Sequence, residues 1–242
     1  MRIMTYNVHS CVGIDAQLST DRVAEVIAEA GVDVVCLQEV DVGRKRTRSV
    51  DQATSLAVAL GMNCHFHPAM RISGEQYGDA ILSKHPLKLV RAGTLPTVRS
   101  LVPLEPRGVL WVSVSAEGKS WQIMNTHLGL GRAERRAQAH ALASPEWVSA
   151  ALAEAPLVLC GDFNSRPASQ VHAILGAQLR DAQKEFGGVP PKTFSTRMRF
   201  VTLDYIFLSP GIRVHRLETI DNPRTRIASD HFPLVAELSW QA

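Results

Sequence analysis

The 242-residue chain holds little cysteine, few aromatic residues and no long apolar run. Its four cysteines, Cys11, Cys36, Cys64 and Cys160, make no CxxC pair and no Cys/His spacing suited to zinc. That pattern fits a reducing compartment. Aromatic residues amount to 6%, with no basic and aromatic run of the kind that stacks single-stranded nucleic acid. No apolar stretch reaches membrane-spanning length, no amphipathic membrane helix is evident, and Met1 to Asn7 lacks the apolar region of a signal peptide. The expectation is a cytoplasmic protein without a transmembrane segment. No repeat, low-complexity tract or Pro/Ser linker divides the chain, so residues 1–242 are expected to form one domain. No feature calls for an obligate protein partner. The net charge of +3 fits an anionic substrate but is too small for a nucleic-acid coat.

Hydrophobic content of 45% and charged content of 20% are ordinary for a globular chain. Arg2 to Val8 reads as a strand. Ser19-Thr20-Asp21 offers N-caps to a helix with Val23, Val26, Ile27 and Ala30 on one face, stopped by Gly31. Val32 to Glu39 is a second strand, giving β-α-β order and placing Asn7 and Glu39 at one edge. Asp51 to Leu60 reads as a helix and Asn63 to Ala69 as a strand. Gly74 to Asp79 is expected to be a turn before the strand Ala80 to Ser83. Val109 to Val114 and Trp121 to Asn125 form a hairpin around Glu117-Gly118-Lys119. Ala133 to Leu152 is helical, interrupted by Pro145, and Gln170 to Leu175 is a short helix. A Gly/Pro loop from Gly187 to Pro191 precedes strands at Leu203 to Leu208 and Pro233 to Leu238. Hairpins mixed with βαβ units predict two mixed sheets face to face, with helices outside.

The apolar run Pro156 to Cys160 ends in Gly161-Asp162-Phe163-Asn164-Ser165. Strand alternation would let Asp162 and Asn164 point the same way, suited to holding a water and a divalent metal against a phosphate. Alone, the pair reads first as an Asx turn closing a strand, with no chemistry. Asn7, Glu39 and His127 also stand at strand ends, whereas Asp204 and Asp230-His231 stand at strand beginnings. Antiparallel later strands would bring all eight side chains to one rim. Glu39 is a hard ligand for Mg²⁺ or Mn²⁺, with Asn7 and Asp230 able to complete its shell. His231 beside Asp204 and Asp230 reads as a carboxylate-oriented histidine, and His127 as a group to hold a phosphoryl oxygen or protonate a leaving group.

The ordered set Thr5-Tyr6-Asn7-Val8-His9, Leu37-Gln38-Glu39-Val40, Asn125-Thr126-His127-Leu128, Gly161-Asp162-Phe163-Asn164, Leu203-Asp204-Tyr205-Ile206 and Ser229-Asp230-His231 resembles the motifs of the endonuclease/exonuclease/phosphatase superfamily. The resemblance implies a DNase I-like four-layer α/β sandwich and metal-dependent phosphoester cleavage. It assigns the metal to Glu39, with Asn7 and Asp230 nearby, and the attacking water to Asp162. Asn164 would position the phosphate, and His231 with Asp204 would stabilise charge on phosphorus. His127 matches a second histidine of nuclease-like and sphingomyelinase-like members.

Asn7-Val8-His9-Ser10 departs from the abasic-site endonuclease pattern. Cys160 to Asn164 and Leu203 to Ile206 depart from that of inositol-phosphate 5-phosphatases. The chain looks closest to short bacterial metal-dependent hydrolases, a likeness carried by segments that include Tyr77 to Ser83 and Glu105-Pro106-Arg107-Gly108. The expected substrate is a small phosphodiester, a lipid-like head group or a nucleic acid. A catalytically silent phosphate-binding module is the alternative from another class. Asp79 is read as a partner of His127, with Glu75 as rival, or as a solvent-facing turn residue. Arg107, Arg135 and Gln138 either reach phosphate or brace loops. Arg44 to Arg48 is a solvated loop or a phosphate-attracting lip.

Overall fold

The computed structural model describes residues 1–99, 104–116, 118–187, 191–198 and 200–240. In β1 (Arg2–Asn7) Met4 and Tyr6 enter one apolar cluster and Ile3 another, the period of two of a strand buried on both faces. Ser19 accepts from the Arg22 N–H to start α1 (Thr20–Ala30), and Gly31 at φ 63° ends it. β2 (Val34–Val42) then runs parallel to β1. α2 (Gln52–Leu60), capped by Asp51, leads to the hairpin of β3 (Asn63–Ile72) and β4 (Glu75–Ser83). β5 (Leu87–Thr94), β6 (Gly108–Ala116) and β7 (Lys119–His127) form an antiparallel meander. α3 (Arg132–Leu142) and α4 (Val148–Glu154) flank Pro145 and precede β8 (Leu157–Asp162), which is parallel to β7. The remainder is α5 (Gln170–Leu175), β9 (Arg180–Asp181), α6 (Ala182–Phe186), β10 (Asp204–Leu208), β11 (Ile212–Thr219), α7 (Thr225–Ala228) and β12 (Leu234–Trp240).

Among the described residues the strands make two six-stranded mixed sheets, ordered β11-β12-β1-β2-β4-β3 and β5-β6-β7-β8-β10-β9. Three apolar clusters separate four layers. Val23, Ile27 and Leu56 of α1 and α2 cover the first sheet. Ile3, Cys36, Val112, Cys160 and Ile206 fill the space between the sheets. Leu142, Val148 and Val171 of α3, α4 and α5 pack on the outer face of the second sheet. This is the expected four-layer sandwich. Cys36 and Cys160 serve as small apolar side chains in its middle, and all four cysteines are free. No helix among the described residues is long and apolar enough to cross a membrane.

Some expectations change. Gly74 to Asp79 is not a turn: β4 already begins at Glu75, and the hairpin reverses at Ser73-Gly74. The strands β5 and β11 escape a sequence reading because they are largely exposed sheet edges, each broken by a bulge, so neither shows clean alternation. The expected turn residue Glu117 and residues 188–190 of the Gly/Pro loop lie outside the described residues.

Candidate active site

Strand direction brings the polar residues together. β10 runs antiparallel to β8 with Asp204 opposite Asp162, and β7 runs parallel to β8 with His127 opposite Asp162. The close pairing of β7 and β8 depends on Gly161, where a Cβ would lie 2.0 Å from the Thr126 carbonyl oxygen. A buried amide pair ties the two sheets beneath this rim. Gln38 Nε2 donates to Asn125 Oδ1 at 2.7 Å, and Asn125 Nδ2 donates to the carbonyls of Leu37 and Ala80. Since a buried amide without partners costs about 1–3 kcal/mol, this bridge resists sliding of one sheet over the other. It sets Glu39, next to Gln38, against His127, two residues beyond Asn125. Ser229 likewise anchors the approach to β12: its hydroxyl donates to the Asn7 carbonyl at 2.8 Å and accepts from the His231 N–H.

The rim gathers all eight predicted side chains, but local geometry differs from the strand-end picture. Glu39 lies inside β2, at a bulge where pairing to β4 skips from Leu37 to Val40, and its φ is 61°. The bulge turns its carboxylate out of the pleat. Asn164 lies beyond β8 with φ 46°, so a left-handed turn, not strand alternation, brings it beside Asp162. Asn7 donates Nδ2 to Glu39 Oε1 at 2.9 Å and to Asp162 Oδ2 at 3.1 Å, while its Oδ1 accepts from the His9 N–H. Asn7 thus braces two carboxylates, and its oxygen is already engaged.

The two site histidines are held in opposite states. His231 Nδ1 lies 2.8 Å from Asp204 Oδ2, and Nε2 lies 3.6 Å from Asp162 Oδ2. Burial pulls its pKa down, but Asp204, Asp162 and Asp230 outweigh it and push it up to about 10. His231 is therefore an imidazolium at neutral pH. His127 Nδ1 lies 3.0 Å from Arg107 Nη1. A guanidinium only donates, so Nδ1 accepts and the proton sits on Nε2. Burial, with Arg107 and His231 adding positive charge, holds His127 well below the usual histidine range. Of the groups near Nε2, Asp162 Oδ2 at 3.5 Å is an acceptor for its proton, whereas Asn164 Nδ2 at 3.0 Å is itself a donor, given to the Leu128 carbonyl at 2.9 Å. Asp162 accepts from the Asn164 N–H at 2.8 Å, and burial raises its pKa although His231 opposes the shift.

A cavity of about 590 Å³ opens over these groups. Glu39, Asp162 and Asp230 line it with His127, Asn164 and His231, while Asn7 and Asp204 stand behind them. The opposite wall carries Arg46, Tyr77, Glu105 and Arg107. Of these, Glu105 and Tyr77 were not singled out from the sequence; their only signal was membership of the Glu105 to Gly108 and Tyr77 to Ser83 segments. Arg46 lies in the exposed segment that the solvated-loop reading expects and also lines the cavity, but its guanidinium is not free. It forms a two-pronged ion pair with buried Asp41, bonds Ser10 Oγ, and lies over the Tyr77 ring. Glu75 pairs with Arg44 and leaves His127 to Arg107. Asp79 is buried inside β4 and does not face solvent; burial lifts its carboxyl to about 8, with Arg107 opposing and Glu39 adding to the shift. Arg135 and Gln138 brace the loop after His127: Arg135 donates to the Leu130 carbonyl, and Gln138 accepts from the Gly129 N–H.

Ligand atoms of Asp162, Asp204 and His231 lie within 4.8 Å of one another, which has the look of a metal site. The hydrogen bonding argues otherwise. An imidazolium between two carboxylates has no free lone pair, so the trio is an ion cluster. Glu39 and Asp230 differ: both reach the cavity, and among the described residues neither has an ion-pair partner. Hard oxygen donors not engaged in a direct ion pair fit a divalent cation of the Mg²⁺ or Mn²⁺ type.

The chain is similar to known proteins in sequence and in fold. The chain is 25% identical over 249 residues to the uncharacterized protein YbhP of Escherichia coli K12, covering 98% of this chain and 95% of YbhP. A conserved protein of unknown function from Enterococcus faecalis V583 superposes with a TM-score of 0.79 at 22% identity, covering 100% of both chains. The human Nocturnin catalytic domain, solved with a bound sulfate anion, gives a TM-score of 0.74 at 24% identity over 100% of this chain and 94% of that one. A family model described as Endonuclease/Exonuclease/phosphatase family matches residues 4–231. That span runs from the strand that delivers Asn7 to the histidine that Asp204 holds charged, and the chain belongs to the endonuclease/exonuclease/phosphatase family.

Proposed function

We propose that this protein hydrolyses phosphodiester bonds with the help of a bound Mg²⁺ or Mn²⁺. The family consists of hydrolases that act on phosphoesters. The observation that carries the finer reading is the juxtaposition, in one cavity, of a cationic His231 and the unpaired carboxylates of Glu39 and Asp230. Glu39 and Asp230 would hold the cation, with Asn7 fixing the direction of Glu39. When bound, it supplies Lewis-acid charge to a phosphoryl oxygen.

The chain's own groups divide the remaining work. Asp162 takes the proton of the attacking water. Its raised pKa suits a base near neutral pH, and Asn7 and the Asn164 N–H keep its oxygens in place. His231 presents its Nε2–H to the negative charge that develops on the phosphoryl oxygens, and Asp204 prevents loss of that proton. Neutral His127 donates its Nε2–H to a second phosphoryl oxygen, while Asn164 Nδ2 orients the ester.

The test is turnover of bis(p-nitrophenyl) phosphate. Activity is expected with Mg²⁺ or Mn²⁺, lost on chelation, restored by adding the ion back, and lost in Asp162→Ala. Activity that survives both chelation and Asp162→Ala rules the mechanism out. Tight binding of phosphorylated ligands with no turnover of any phosphoester would instead support the silent binding module.

A further inference from the structure

A second cavity, of about 430 Å³, adjoins the first between α3 and the start of α5. The two meet at Asn164 and Leu203, which line both. Their charges differ. The first sets carboxylates against arginines, whereas the second is walled by Arg132, Arg135, Arg136 and Arg166 and has no carboxylate in its lining. Arg132, Arg136 and Arg166 are exposed, and none has an ion-pair partner among the described residues. Glu134, the one acid on α3, is buried and bonded to Gln138. Like charges gathered round one hollow repel each other, and an anion there relieves the repulsion. Guanidinium groups approaching from two elements also offer more fork-shaped donors than a single planar carboxylate can accept, which favours a phosphate.

We propose that this arginine-walled cavity is a second phosphate subsite, and that the substrate carries another phosphate on the side facing α3. The proposal rests on the reading of the first cavity as a phosphodiester-hydrolysing site. The second phosphate has two possible sources: the next backbone phosphate of an oligonucleotide, or a terminal phosphate on a small diester. Past Arg166 the wall continues into a recess of about 260 Å³ that holds Lys192 and a half-exposed Phe200, where a nucleobase would stack.

The test uses the full chain and the triple variant Arg132→Ala/Arg136→Ala/Arg166→Ala, whose altered side chains are on the surface. With bis(p-nitrophenyl) phosphate, the two proteins are expected to agree within about twofold. With thymidine dinucleotides, wild type is expected to favour one terminally phosphorylated form over the unphosphorylated dimer by about tenfold in kcat/KM, and the triple variant to lose that preference. The preference shrinks as salt is raised. A p-nitrophenyl phosphodiester of glycerol, compared with and without a phosphate on the far glycerol hydroxyl, separates the sources. An equal gain with it identifies the second phosphate alone as the ligand. A gain confined to dinucleotides, and reduced by Phe200→Ala, identifies an oligonucleotide. Anisotropy of the labelled, phosphorylated dinucleotide in EDTA gives a readout independent of turnover, with about tenfold weaker binding expected for the triple variant. Equal binding by both proteins, or a phosphate preference that survives the triple substitution, overturns the subsite. Absence of turnover on every substrate, with the difference in binding intact, would count against the hydrolytic reading and leave the subsite standing.

Discussion

Two buried histidines of this protein each face an aspartate, and they end in opposite charge states. At the rim, His231 Nδ1 meets Asp204 at 2.8 Å, with Asp162 and Asp230 contributing further negative charge, and its pKa is pushed up to about 10. On the buried side of α5, His172 Nε2 lies 3.9 Å from Asp181, too far for a hydrogen bond, and that nitrogen is buried without a partner. Tyr205 and Phe207 rings surround His172, and burial, with Lys184 adding to it, lowers its pKa to about 4. The 3.9 Å approach is therefore not an ion pair at neutral pH. Burial alone strips a histidine of its proton; a touching carboxylate, backed by others, is needed to reverse that. His127 is a third case, kept neutral by burial with the Arg107 guanidinium adding to it.

The difference can be broken most severely by removing the rings. His231→Ala is expected to lower kcat by roughly 10²–10⁴-fold, whereas His172→Ala leaves kcat within about twofold and lowers unfolding free energy by roughly 2–3 kcal/mol. Steady-state rates and urea unfolding of both variants check this. Asp204→Asn is next, with a loss of roughly 10²–10³-fold. Because the amide no longer favours the imidazolium, the alkaline limb of the pH–rate profile is expected to move to lower pH; a limb that stays put would detach His231's charge from catalysis.

Stability against pH tests the other histidine. The folded pKa of His172 lies below the unfolded value of 6.5, so the unfolded chain takes the proton first as pH falls. Its contribution is complete above 6.5 and is lost towards about 4, by up to about 3 kcal/mol at 1.36 kcal/mol per pH unit. Urea midpoints at pH 7.5 and 4.5 are expected to differ less in His172→Phe than in wild type. The smallest expected effect is at His127. Arg107→Met removes the donor on Nδ1, and the rate is expected to fall about tenfold. Imidazole ¹⁵N shifts are expected to change from a single Nε2–H tautomer to a mixture, which a merely structural arginine would not produce.

Much of this was legible in order along the chain. Ser19, Gly31, Asp51 and Gly61 start and stop helices through local chemistry, so α1 and α2 follow from the sequence. The apolar run before Gly161 identifies β8 because a strand buried on both faces cannot alternate. The reversed direction that carries Asp204 and His231 to the rim stood in the sequence only as the condition for strand ends and beginnings to meet, and the antiparallel pairing of β10 with β8 and of β12 with β1 fulfils it.

What the sequence by itself determined was which residue types lie at which points of which elements, because caps, periods and turns act over a few residues. Only the tertiary structure decided the states of those residues. It turned Glu39 out through a bulge, engaged the Asn7 oxygen, buried Asp79, gave His127 to Arg107 rather than to a carboxylate, and made one His–Asp pair an ion pair and the other not. Each of those outcomes depends on distances of a few ångströms between segments far apart in the chain and on how much water is excluded around them, neither of which local patterning encodes.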